Sequence, residues 1–244
     1  MNINITRSTY MSLTTKDILE GSVYPTTYGD VEVVNIRGTR HVTVRFCSTG
    51  YETTTTKYLI AKGKVVDYLY PKYYGKGYLG APHIAKNYNG HAKEWRKMMY
   101  RCYGPGTQHH TVIDEWHSFA NYLSYIRENA IYDTPSVVRN TTFNPQETHY
   151  GRDTTFVMPL HHHRLLSSVF TKPKVVNSSN GKYYAIIRLH NEPVYLGVCK
   201  DQKTAIRDAK RVLYDNMVKL SEEVNYPEPL KSKIKQHLVK HNPY

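Results

Sequence analysis

Apolar residues recur with helical spacing from Lys93 to Phe119, and the rest of the chain is organised around that stretch. Trp95, Met98, Met99 and Cys102 fall at i, i+3, i+4 and i+7, while Lys93, Arg96, Lys97 and Arg101 occupy the other sides. The pattern predicts an amphipathic helix with a cationic outer surface, and Gly104-Pro105-Gly106 ends it. Trp116, Phe119, Ala120, Leu123 and Arg127 repeat the spacing. A second helix is therefore expected to bury an aromatic face against the first, and an ordinary helical hairpin core would already explain the aromatics.

Upstream the period changes to two. Val31 and Val33 alternate with acidic residues, Val42, Val44 and Phe46 alternate with polar ones, and Arg37-Gly38-Thr39-Arg40 supplies a turn, which reads as a β-hairpin. Tyr51 to Ile60, with four consecutive threonines, and Gly63-Lys64-Val65-Val66 read as further strands. Residues 1–67 are expected to form a small antiparallel β module, a barrel of the SH3 type. Over 68–92 neither period survives. That segment, with its YLYPKYYGKGYLG run, reads as a linker or ordered loop. Its tyrosines and lysines suit a phosphate backbone, or its tyrosines pin it by burial.

Downstream, residues 171–180 mix Asn and Ser with Lys and Pro and read as a linker. Tyr183, Ala185, Ile187 and Leu189 then alternate with Lys182, Tyr184, Ile186, Arg188 and His190, and a second strand from Val194 to Val198 follows the turn Asn191-Glu192-Pro193. Asp201 is placed to cap a helix whose Ile206, Ala209, Leu213, Met217 and Leu220 make one apolar stripe. From Ser221 the chain is polar, Pro227 and Pro229 break any continuation of that helix, and Lys231, Lys233, Lys235 and Lys240 mark 221–244 as a short basic helix or tail. The fold class expected from these patterns is α+β, in several modules.

Charge narrows the partner. The sequence carries 33 Lys and Arg against 20 Asp and Glu, a formal +13 over 244 residues, which favours polyanions and salt-dependent binding. Its 23 tyrosines serve equally for stacking on bases and for packing in a core. Cys47, Cys102 and Cys199 lie far apart, with no C-x-x-C pair for zinc and no even set for disulfides, which points to a reducing compartment. No apolar run reaches membrane-spanning length and the N-terminus lacks a signal-peptide core, so the expectation is a soluble, intracellular protein without a membrane partner.

The order Trp95, Met98 or Met99, Arg101-Cys102-Tyr103, then Glu115-Trp116 and Phe119 resembles the front half of the phage and mobile-element His-Asn-His (HNH) endonucleases. Those proteins carry a W-x-x-M-x-x-R-C-Y helix followed by a W-x-x-F helix. Tyr150 to Pro159 is similar to the family's next strand, and a helix is expected from near Leu160. The resemblance implies an α-rich ββα block over 93–170 that holds one divalent metal, Mg²⁺, while a histidine activates water. Where relatives carry L-D-x-D or a histidine, this chain has Val137-Val138-Arg139-Asn140-Thr141, and arginine can neither ligate a cation nor act as a base. His161-His162-His163 stands where relatives often have asparagines. Adjacent helical residues diverge by roughly 100°, so at most two of the rings can meet one metal. The resemblance makes His163 the metal ligand and His149 the base of a degenerate block, expected to cleave weakly or not at all.

Gly181-Lys182-Tyr183-Tyr184-Ala185, Tyr195-Leu196-Gly197 and Ala205 resemble the DNA-binding domain of plant ethylene-response factors, over residues 181–220. That likeness implies a sheet in the major groove with the helix packed behind it. It makes Lys182, Tyr184, Arg188, His190 and Tyr195 the DNA face, joined by Lys93, Lys97 and Arg101 on the cationic helix. The expected protein is a phage-type binder of double-stranded DNA, built like an HNH homing endonuclease and working in the cytoplasm of an infected bacterial host. Two alternatives stand beside it: a nuclease-dead DNA-binding regulator, and a phage interaction protein that uses the same folds against a host protein.

Overall fold

In the computed structural model the described residues are 13–106, 109–130, 135–139 (backbone), 147–170, 173–177, 180–189 and 192–244. The chain divides into two compact units, one up to Leu123 and one from Ser124 onward. Both mix helices with antiparallel strands, which makes the class α+β.

The first unit opens with β1 (Val23–Thr26), β2 (Gly29–Gly38), β3 (His41–Phe46) and β4 (Glu52–Thr55), neighbours in sequence order. The alternation read from sequence sets the inner face: Val31, Val33, Val42, Val44 and Phe46 are buried with Tyr24, Ile18 and Ile60. Among the described residues this sheet is open, with β1 and β4 at its edges, and it is not the barrel expected there. The reason is local. Thr53 to Thr55 lie in β4 as expected, but Thr56 accepts a hydrogen bond from the Leu59 amide at 3.2 Å and caps a short helix, α1 (Lys57–Ala61), so the strand stops there instead of running on to Ile60. Gly63 to Val66 forms no strand, and Val65 plugs the core.

The glycine- and tyrosine-rich segment that follows is pinned by its rings. Tyr68 packs edge-on against Tyr51, Tyr70 against Tyr28 and Tyr73 against Trp95, which settles that stretch as an ordered loop. After α2 (Ile84–Asn87), α3 (Asn89–Tyr103) starts four residues before Lys93 and buries Ala92, Trp95, Met98, Met99 and Cys102, the stripe its spacing predicts. A two-residue strand, β5 (Thr111–Val112), and a 3₁₀ turn, Asp114–His117, precede α4 (Phe119–Asn129). Trp116 is thus buried from the turn and not from the second helix.

In the second unit β6 (Pro135–Arg139) pairs antiparallel with β8 (Thr155–Pro159), Val137 opposite Val157, and β7 (His149–Tyr150) lies in the connection between them. α5 (Leu160–Phe170) follows β8 without a loop. A three-stranded sheet comes next: β9 (Lys174–Asn177), β10 (Tyr183–Leu189) and β11 (Glu192–Tyr195), in the order β11-β10-β9. Lys174–Asn177 is therefore a strand inside the segment expected as a linker. Asp201 caps α6 (Gln202–Glu223), accepting from the Thr204 amide at 2.8 Å. The last element, α7 (Glu228–Lys240), starts from Pro227 at its N-cap.

One core runs through this unit. Leu166 and Val169 of α5, Ala185 and Ile187 of β10, Ala205, Ala209, Leu213 and Met217 of α6, and Leu230, Ile234 and Leu238 of α7 are all buried in it. Each of the three α7 anchors contributes about 1.5–3 kcal/mol by burial, so this helix belongs to the fold. Among the described residues no helix is long and apolar enough to cross a membrane.

Candidate nucleic-acid interface

On α5 the positions i, i+4 and i+7 turn inward: His162, Leu166 and Val169 are buried. His162 is 4% exposed and its Nδ1 shares a 2.7 Å hydrogen bond with the Tyr226 hydroxyl, so the middle histidine of the triplet is a core residue. That leaves His161 exposed and His163 half-buried on either side of it.

His149 sits at the start of β7, in a turn fixed by hydroxyls. Its amide donates to Glu147 Oε1 at 2.9 Å, and its carbonyl accepts from Thr154 Oγ1 at 2.8 Å. Thr155 Oγ1 donates to the Gly151 carbonyl at 2.6 Å, and the Tyr125 hydroxyl donates to the Thr155 carbonyl at 2.8 Å. Burial pushes the Tyr125 phenol above its ordinary value, keeping it a donor that anchors the start of β8. Among the described residues no three His, Cys, Asp or Glu side chains converge as metal ligands would.

The sheet presents a different surface. Along β10, Ala185 and Ile187 face the core at 1% and 4% exposure, so Tyr184, Ile186 and Arg188 point the other way. Tyr195 of β11 and Lys174 of β9 both pair with Ile186, Val176 pairs with Tyr184, and Pro193 pairs with Arg188. Residues opposed across an antiparallel ladder share a face. The outer face therefore gathers Lys174, Tyr184, Arg188 and Tyr195, with exposed Lys182 just ahead of β10. The Tyr184 and Tyr195 rings lie 6.2 Å apart, and Tyr195 is 67% exposed. His190, named with this face, lies outside the described residues. Lys174 escaped the sequence reading because it stands in the presumed linker. The only signal was the pair Val175-Val176 between turn-forming residues.

Lys93 and Lys97 occupy exposed positions on α3, and Arg101 is half-buried. Lys97 pairs with Glu94 at 2.8 Å, an exposed contact that contributes little and leaves the lysine available to a stronger anion. At the other end of the chain, burial and the neighbouring His241 and Lys240 pull the His237 imidazole down to about 4, so the charge of α7 at neutral pH comes from its lysines.

A scan against protein-family models and searches of curated proteins and of solved structures find no match. The functional reading rests on the residues themselves.

Proposed function

We propose that this chain binds double-stranded DNA through the outer face of the β9–β11 sheet, as an HNH-homing-endonuclease-like protein of phage type acting in a bacterial host. The observation that carries the reading is the composition of that face: two aromatic rings and the cations Lys174 and Arg188 on the side of the sheet away from the core, with the exposed Lys182 just ahead of β10. A guanidinium on a strand can donate two parallel hydrogen bonds to guanine O6 and N7. The lysines suit phosphates, which fix register without reading sequence. Arg188→Ala is expected to lose about 1–3 kcal/mol at one cognate base pair, while Lys182→Ala weakens all sequences alike. Titration of cognate and scrambled duplexes by fluorescence anisotropy checks both, and equal losses on the two duplexes in both variants would remove base reading from this sheet.

The second reading is weak metal-dependent cleavage, favoured by the order hairpin β6–β8 then α5, with His149 in the hairpin connection and His163 on the helix. The donor set does not fit a resident Mg²⁺. That ion prefers oxygen ligands, mainly carboxylates, whereas β6 ends in Arg139 and the triplet commits His162 to Tyr226. No catalytic step is assigned through a metal. Incubating supercoiled plasmid bearing the cognate site with Mg²⁺ or Mn²⁺ is expected to leave it intact while binding persists. Nicking that His163→Ala or His149→Ala abolishes would establish the block as a working nuclease.

A further inference from the structure

Between α5, α6 and the end of β10 lies a groove of about 480 Å³, a volume in the range of small-ligand pockets. Its lining is lopsided in charge. Arg164, Arg188 and Lys219 are cationic, His161 and His163 add two imidazoles, and Glu223 is the one carboxylate among the lining residues. Glu223 pairs with Lys219 at 3.7 Å, but both side chains are largely exposed, at 60% and 73%, and such a pair gives way readily to a stronger anion. The first turn of α5 contains no acidic residue to offset the positive end of the helix dipole. His162, held in the core by Tyr226, fixes that turn and with it the placement of His161 and His163.

We propose that this groove seats a phosphate group, supplied by the DNA backbone as the duplex leaves the sheet. The choice of source rests on the DNA reading above. Arg188 connects the two surfaces, because it lies on the outer face of β10 and also lines the groove. One duplex strand can then contact the sheet by base edges and the groove by a phosphate, with Arg188 at the junction of the two.

Two measurements on the full chain test this. In the first, the dependence of duplex affinity on salt is compared for the parent, Arg164→Ala, Lys219→Ala and the surface control Lys64→Gln. Loss of a true phosphate contact lowers the slope of log affinity against log salt by about 1, as expected for Arg164→Ala and Lys219→Ala but not for the control. Glu223→Gln removes the competing carboxylate and is expected to tighten duplex binding by about threefold, a gain that misfolding cannot imitate. In the second, inorganic phosphate is titrated at constant ionic strength while the ring signals of His161 and His163 are followed by NMR. Slopes reduced in both groove variants support the backbone as source. Unchanged slopes with shifted ring signals keep the phosphate site and assign it to free phosphate. Unchanged slopes with unmoved rings overturn the inference and leave the sheet reading standing. If the parent fails to bind duplex at all, the sheet reading falls, and the groove then stands or falls on the phosphate titration alone.

Discussion

Raising salt from 50 to 200 mM is expected to weaken duplex binding by about a thousandfold if roughly six phosphates are neutralised, because each contact releases a condensed counterion and the slope scales with their number. The cations for such a count are in place. Lys174, Lys182 and Arg188 stand exposed at the sheet, Lys219 and Arg164 line the neighbouring groove, and α7 adds Lys235 and Lys240 on its exposed side. The chain as a whole carries a formal +13. A protein partner met through apolar surface would answer quite differently, since hydrophobic burial changes little over this salt range. Anisotropy titrations on a duplex of about three helical turns at several salt concentrations decide between them. A flat response would sink the DNA reading, and a steep response that is the same for cognate and scrambled DNA would reduce it to backbone binding.

Where sequence patterning was strong, it matched the structure closely. The spacing of Trp95, Met98, Met99 and Cys102 named the buried stripe of α3, and the alternation at Val31, Val33, Val42, Val44 and Phe46 named the inner face of the first sheet. The stripe of α6 held at Ala209, Leu213 and Met217, with Ala205 taking the buried place expected of Ile206. Failures came where a short element hides among residues with other preferences. β9 offers only two valines between Pro173-Lys174 and Asn177, too few for a period to emerge. In α7 the lysines drew attention away from Leu230, Ile234 and Leu238, and Pro227, read only as a breaker of the preceding helix, also begins the next. The threonine run forms β4 up to Thr55 as its β-branching predicts, but Thr56 acts through its hydroxyl as a cap, and the strand ends there instead of reaching Ile60.

The candidate site was legible in its residue types more than in its geometry. Tyr184 and Arg188 could be assigned to one face from alternation alone, since a strand offers only two sides, while Tyr195 on the next strand was placed with them only by the family resemblance. Lys174 could not be added without knowing that β9 pairs with β10, a register no single strand reveals. Likewise, three consecutive histidines give no hint of which ring turns inward. That choice was made by Leu166 and Val169 sharing the stripe of His162, and by a partner hydroxyl 64 residues away at Tyr226.

The other large effect is expected in the first unit. Trp95→Ala should lower its stability by about 3–5 kcal/mol, the usual cost of deleting a buried aromatic side chain. The indole is fully buried, Tyr73 meets it edge-on at 5.1 Å, and Phe119 packs at 5.5 Å. Its Nε1 donates to the Trp116 carbonyl at 2.8 Å, which fixes the 3₁₀ turn against α3. Gly77 comes so close that a Cβ there would meet the ring at 3.0 Å, so the loop backbone and the indole were fitted to each other. Truncation removes all of these at once. Against a typical total of about 5–15 kcal/mol for a domain, that loss takes away a large share of the stability. Trp95→Phe separates the two contributions, because it keeps most of the apolar contact and removes only the donor, with an expected cost of about 1–3 kcal/mol from the stranded carbonyl and the small void. Urea unfolding followed by far-UV circular dichroism reads both midpoints, and the argument requires the Ala variant to fall well below the Phe variant. Equal midpoints would mean that the hydrogen bond to Trp116 dominates. An Ala variant within about 1 kcal/mol of the parent would mean that the loop around Tyr73 and Gly77 is not seated on α3 in solution.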